Sequence, residues 1–200
     1  MKVRANRACA KFRRHLEGRL ELLRPWQGAS YRVTTLDYPR PASILSGEGS
    51  FLFGGRWNAP GAFRAVYGST SDVVAVAESR ANAEYAGMSY PFRTPRLLVA
   101  IEFDLRRVLD LTIAEARDAL GITLDEFRDE DWRKMQAAGS ESCTQAFGRA
   151  AYAIGANAIL VPSARVPDGV NIVYFPGNLE QSAEATICEP EKLDRIQGVD

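Results

Sequence analysis

Strand-like and helix-like segments are interspersed along this chain without a regular strand–helix–strand rhythm, and that irregular order constrains the fold more than any single motif. A doubly wound parallel sheet needs a crossover helix between successive strands, so the order favours a mixed α+β domain. Phe12, Leu16, Leu20 and Leu23 recur at helical spacing between arginines, which predicts an amphipathic helix ending before Pro25. Residues 31–36 read as a strand, followed by a Pro/Gly/Ser-rich stretch. Ala65–Tyr67 is a short strand, and Ser69–Asp72 offers capping groups for a helix over 72–86. Leu97–Phe103 is an apolar run of strand type, interrupted by Glu102. Thr112 with Glu115 and Thr123 with Glu126 fit capping boxes and predict two short helices. A third helix spans 142–153 with Ala146, Phe147, Ala150 and Ala151 inward, and Ala158–Val161, Ile172–Phe175 and Ala185–Cys188 predict closing strands. No internal repeat or linker divides the 200 residues, and 46% hydrophobic content is enough for one sizeable core.

The formal net charge is zero, so the whole molecule is no electrostatic trap for nucleic acid or an anionic membrane. Residues 1–24 nevertheless hold eight Lys/Arg against two Glu, leaving 17 basic and 23 acidic residues for the rest. That basic segment reads first as a packed helix with a solvated face, and second as an arm for a partner or nucleic acid. Cys9, Cys143 and Cys188 are far apart and form no metal-binding pattern, so neither a disulfide framework nor a zinc site is expected. His15, the single histidine, lies in the basic segment, an unpromising place for a Ser-His-Asp or Cys-His mechanism. There is no apolar span of membrane length and no secretory signal, and the simplest expectation is a cytoplasmic protein. No P-loop, dinucleotide-binding glycine motif or metal-ligand set supports kinase or redox chemistry.

Glu78 is the most informative single residue. On the 72–86 helix its neighbours at helical spacing include Val74, Ala81 and Tyr85, which places a carboxylate on an apolar face. An ionised group there is costly unless paired or used, so Glu78 is either the partner of a buried arginine or a functional group. Gly54-Gly55-Arg56-Trp57-Asn58-Ala59-Pro60-Gly61 combines a backbone that can approach a ligand with a planar cation suited to diphosphate. It can equally be a Gly-rich turn with a stacked Trp/Arg pair. Arg32 on the first strand is either a second cation or an exposed strand residue, and Ser163 is either a pocket hydroxyl or a loop serine.

Tyr31-Arg32-Val33, the Gly54–Gly61 block, Val66-Tyr67, Glu78, Val161-Pro162-Ser163 and Asn171 together resemble the RES domain, named for its Arg, Glu and Ser. Arg56, Tyr67 and Glu78 stand at intervals of eleven, a spacing shared with the family pattern, and the match spans about 31–176. The resemblance implies the toxin of a bacterial toxin–antitoxin pair, with a fold similar to ADP-ribosyltransferases such as diphtheria toxin. It further implies cleavage of the nicotinamide–ribose bond of NAD, which is substrate rather than cofactor, with water, phosphate or a protein as acceptor. The partner implied is a small antitoxin with an Xre-type helix-turn-helix. By similarity, Arg32 and Arg56 hold the NAD diphosphate, Tyr67 orients the nicotinamide end, Glu78 is the catalytic carboxylate, Ser163 hydrogen-bonds in the pocket and Asn171 supports the site. No metal is expected. Residues 1–30 form a basic helix and connection ahead of a RES domain over 31–200. Two other readings stand beside NAD depletion: ADP-ribosylation of a host protein, and a non-catalytic nucleotide- or partner-binding protein.

Overall fold

A computed structural model of the chain describes residues 3–37, 39–88, 95–128 and 130–197. Its frame is a pair of long antiparallel strands, β1 (Leu23–Thr35) and β3 (Arg96–Asp110), in register from Leu23 opposite Leu109 to Thr35 opposite Arg96. The register shifts between Arg24 and Trp26, around Pro25, which has no N–H to give to the ladder. Four further strands complete the sheet: β2 (Val66–Ser69), β4 (Ala158–Pro162), β5 (Val170–Tyr174) and β6 (Glu184–Ile187). The order is β1-β2-β5-β4-β3-β6, and the additional β1–β3 pairing brings the sheet back on itself. All pairings are antiparallel except β3–β4, so the irregular order of segments produces a mixed α+β domain, as expected.

Helices cover both faces of the sheet. In chain order they are α1 (Ala8–Glu17), α2 (Pro41–Leu45), α3 (Glu48–Phe53), α4 (Asp72–Tyr85), α5 (Ala114–Leu120), α6 (Leu124–Arg128), α7 (Trp132–Ala137), α8 (Cys143–Ala153) and α9 (Glu191–Gln197). Alternate residues of the central strands feed two cores. Ile159, Val161 and Val173 join Phe12, Leu16 and Phe147 from α1 and α8, whereas Leu160, Ile172 and Tyr174 join Ile101, Phe103, Leu105 and Ile187. Burial on both faces is why β4 and the Ile172–Tyr174 part of β5 read as apolar runs. The Ala146, Phe147, Ala150 and Ala151 face of α8 is buried as expected, and Phe12 meets the Phe147 ring edge-on with centroids 5.3 Å apart. No described helix is long and apolar enough to cross a membrane.

Three local expectations are corrected. The first helix ends at Glu17 before Gly18, and Leu23 already belongs to β1, because pairing with β3 satisfies the backbone of 23–35 where a longer helix would leave Leu109 and Val108 of β3 without their β1 partners. The Thr112–Glu115 box does not form. Asp110 takes the Thr112 hydroxyl at 2.6 Å, and α5 begins at Ala114 with no side-chain cap. Ser71 likewise makes no capping bond to α4. By contrast, Thr123 and Glu126 exchange both bonds of a capping box, at 2.8 and 3.3 Å, and Ser142 with Gln145 forms another at the start of α8.

Candidate active site

The Gly54–Gly61 loop is held from three sides. Gly54 has φ +76°, and a Cβ there would fall 2.8 Å from the Pro60 ring. A Cβ on Gly55 would fall 2.4 Å from the Tyr67 hydroxyl, so Gly55 lets the phenol close on the loop backbone. That hydroxyl accepts from Trp57 N–H at 2.9 Å and donates to Asn58 Oδ1 at 2.7 Å. Burial pushes the Tyr67 phenol far above its ordinary value, so it stays protonated and acts as a clamp. Buried Asn58 donates to the carbonyls of Ser50 (2.8 Å) and Phe63 (3.2 Å), and Gln145 of α8 donates to the Gly55 carbonyl at 3.0 Å.

Glu78 projects from α4 into the space beside this loop. Its Oε1 accepts from Ser163 Oγ at 2.7 Å and from Asn171 Nδ2 at 2.8 Å. Ser69 Oγ donates to Asn171 Oδ1 at 2.7 Å, which orients the amide with its NH2 toward the carboxylate. Ser163 Oγ also accepts from the backbone N–H groups of Arg165 (3.0 Å) and Val166 (3.1 Å). Its proton and both lone pairs are therefore committed, and this hydroxyl is a holder of Glu78 and not a nucleophile. With both donors on Oε1, the second oxygen Oε2 carries no hydrogen bond from the described residues. Both hydrogen bonds to Glu78 come from uncharged side chains, which disfavours the buried ion-pair reading.

A cleft of about 510 Å³ collects the expected residues: Arg32, Arg56, Tyr67, Glu78 and Asn171 line it, and Ser163 reaches it through Glu78. A recess of about 70 Å³ adjoins it behind Arg56 and Glu78, walled by Trp57, Phe127 and Val161. Arg32 donates from Nη1 to the Tyr67 carbonyl at 2.7 Å and keeps a buried Nε–H with no acceptor among the described residues. Burial lowers its pKa, a cost suited to a site that receives an anion. Arg56 is anchored through Nη2 on the Phe127 carbonyl. Among the described residues, Arg32, Arg56, Arg96, Arg133 and Arg165 line the cleft together with one carboxylate, Glu78. Among the described residues no group of His, Cys, Asp and Glu is placed to hold a metal, and His15 lies elsewhere, its Nδ1 3.1 Å from the Leu120 carbonyl.

Several cleft residues were not foreseen. Ser69 reads in sequence as helix-capping chemistry, yet its hydroxyl serves Asn171. Arg96, Trp132, Arg133 and Arg165 lie in segments with no motif to mark them, and only the tertiary fold brings them to the cleft.

The sequence profile of the RES domain family matches residues 29–194. The chain is similar to NAD(+) phosphorylase MbcT of Mycobacterium tuberculosis, 33% identical in an alignment 172 residues long that covers 80% of this chain and 84% of that protein. MbcT of Mycobacterium bovis is similar to the same extent, 33% over 172 residues. The fold is similar to a chain in the crystal structure of the M. tuberculosis MbcT–MbcA toxin–antitoxin complex, with TM-score 0.66, 26% identity, and coverage of 94% of this chain and 97% of that one.

Proposed function

The chain belongs to the RES domain family, and from that premise we propose that it is the NAD-cleaving toxin of a bacterial toxin–antitoxin pair. The observation that carries this reading is the Glu78 carboxylate, held by one oxygen between Ser163 and Asn171 with its other oxygen left for a substrate, in an arginine-lined cleft. When the nicotinamide–ribose bond breaks, the bonding pair goes to the ring nitrogen and nicotinamide leaves neutral, so no general acid is needed. Positive charge develops on the ribose, where a fixed carboxylate stabilises the transition state more than the ground state. An oxygen of phosphate or water then bonds to the anomeric carbon.

Arg32 and Arg56 hold the diphosphate, Tyr67 orients the nicotinamide end while clamping the Gly54–Gly61 loop, and Ser163 and Asn171 hold Glu78. NAD is substrate, and the chemistry requires no further cofactor. We read the curled mixed sheet as ADP-ribosyltransferase-like, the protein as cytoplasmic, and residues 1–30 as an accessory to the catalytic domain of 31–200. Similarity to MbcT supports phosphate as the acceptor, and similarity to the MbcT–MbcA complex supports a cognate antitoxin, which the family resemblance makes an Xre-type helix-turn-helix protein.

Purified protein incubated with NAD is expected to release nicotinamide. A folded wild-type chain that releases none overturns the reading. Labelled NAD with cell lysate separates transfer to a protein, seen as a labelled band, from small products only. Co-expression with neighbouring reading frames is expected to yield one product that co-purifies and restores growth; finding none contradicts the paired-toxin reading.

A further inference from the structure

We infer that Trp132 and Arg133 of α7 form the subsite for the adenine of the dinucleotide, an inference that rests on the NAD-cleaving reading for its ligand. Trp132 and Arg133 line the same cleft as Glu78. Trp132 is half-buried, and among the described residues it is packed into neither hydrophobic core, so its indole is not explained as core packing. The Arg133 guanidinium lies over the Trp132 ring at 4.3 Å and over the Tyr85 ring at 4.2 Å. Its Nη2 donates to Asn82 Oδ1 at 2.5 Å. One planar cation thus ties α7 to the end of α4 and fixes the indole beforehand, which lowers the ordering cost of a ligand that stacks on it.

The position fits the rest of the substrate. Asn82 and Tyr85 lie one and two turns beyond Glu78 on α4, about 6 and 10 Å along its axis. With the reacting ribose at Glu78 and the diphosphate on Arg32 and Arg56, this wall is left for the far nucleoside. A purine stacks on an indole face without needing a dedicated hydrogen-bond partner, and the Trp132 face turned away from Arg133 is an aromatic plane of the kind that nucleobases stack on.

The test reads binding separately from catalysis. By calorimetry, wild type is expected to bind ADP-ribose, with AMP competing and ribose 5-phosphate binding much more weakly. Trp132→Leu keeps apolar volume but loses the ring face, and should weaken ADP-ribose roughly ten- to a hundredfold, while ribose 5-phosphate binding is unchanged. Trp132→Phe should recover part of the loss. In turnover, Trp132→Leu should raise the KM for NAD with little change in kcat and leave cleavage of nicotinamide mononucleotide unaffected. Wild-type ADP-ribose affinity in Trp132→Leu, or equal affinity of wild type for ADP-ribose and ribose 5-phosphate, overturns the subsite. If wild type binds ADP-ribose through Trp132 but releases no nicotinamide, the subsite stands and the proposed reaction falls.

Discussion

At the scale of single residues, the site turns on how the two oxygens of Glu78 differ. Glu78→Gln keeps a carbonyl that can accept from both Ser163 and Asn171, while it removes the negative charge and replaces the second oxygen, which the proposed reaction turns to the substrate. The variant is expected to fold, melt near wild type and bind NAD, while nicotinamide release falls ~100-fold or more. Near-normal release with a much lower melting temperature would instead make Glu78 a structural group. Ser69→Ala removes the donor that orients Asn171, and leaves Asn171 Oδ1 without that partner. The amide is then free to turn its oxygen toward the carboxylate, so kcat should fall roughly tenfold with little change in KM, the loss of one net charge-assisted hydrogen bond. An unchanged kcat would remove Ser69 from the positioning network. Arg32, Arg56, Tyr67, Glu78, Ser163 and Asn171 were legible because each sits in a motif or breaks a pattern, as a carboxylate does on an apolar helix face. Ser69 was not, because a serine ahead of a helix reads as a cap, and its true acceptor is 102 residues away.

Among the elements, the Gly54–Gly61 loop and α8 are fitted to each other. A Cβ on Gly148 would fall 1.9 Å from the Trp57 carbonyl oxygen, a backbone atom that cannot swing aside. Gly148→Ala should therefore lower stability by about 1–3 kcal/mol and raise the KM for NAD, because the loop that carries Arg56 is displaced. A variant with wild-type melting temperature and KM would show that α8 and the loop separate without consequence. The α8 helix itself was readable from its Ala/Phe stripe and its Ser142–Gln145 box. The short α2 and α3, five and six residues long, were not, because one turn and a half carries no usable period within a Gly/Pro/Ser-rich stretch. The end of α1 was misplaced for a different reason. Leu20 and Leu23 continue the helical spacing, but β3 supplies ladder partners for 23–35 from more than 60 residues away, and that competition is invisible locally.

For the whole molecule, the irregular order of segments was enough for an α+β domain, whereas the curling of the sheet depends on the β1–β3 pairing, which no local pattern encodes. The finished cleft has a charge balance that bears on the acceptor. Among the described residues arginines outnumber carboxylates on its lining, where Glu78 is the one carboxylate. A cation-rich lining suits an anionic acceptor, and the likeness to NAD(+) phosphorylase MbcT favours phosphate. Nicotinamide release is therefore expected to rise and saturate with added phosphate, with ADP-ribose 1-phosphate as the second product. Neutral buffer of equal ionic strength should not substitute, because screening is matched and only the acceptor differs. If release is equally fast without phosphate and the product is free ADP-ribose, water is the acceptor.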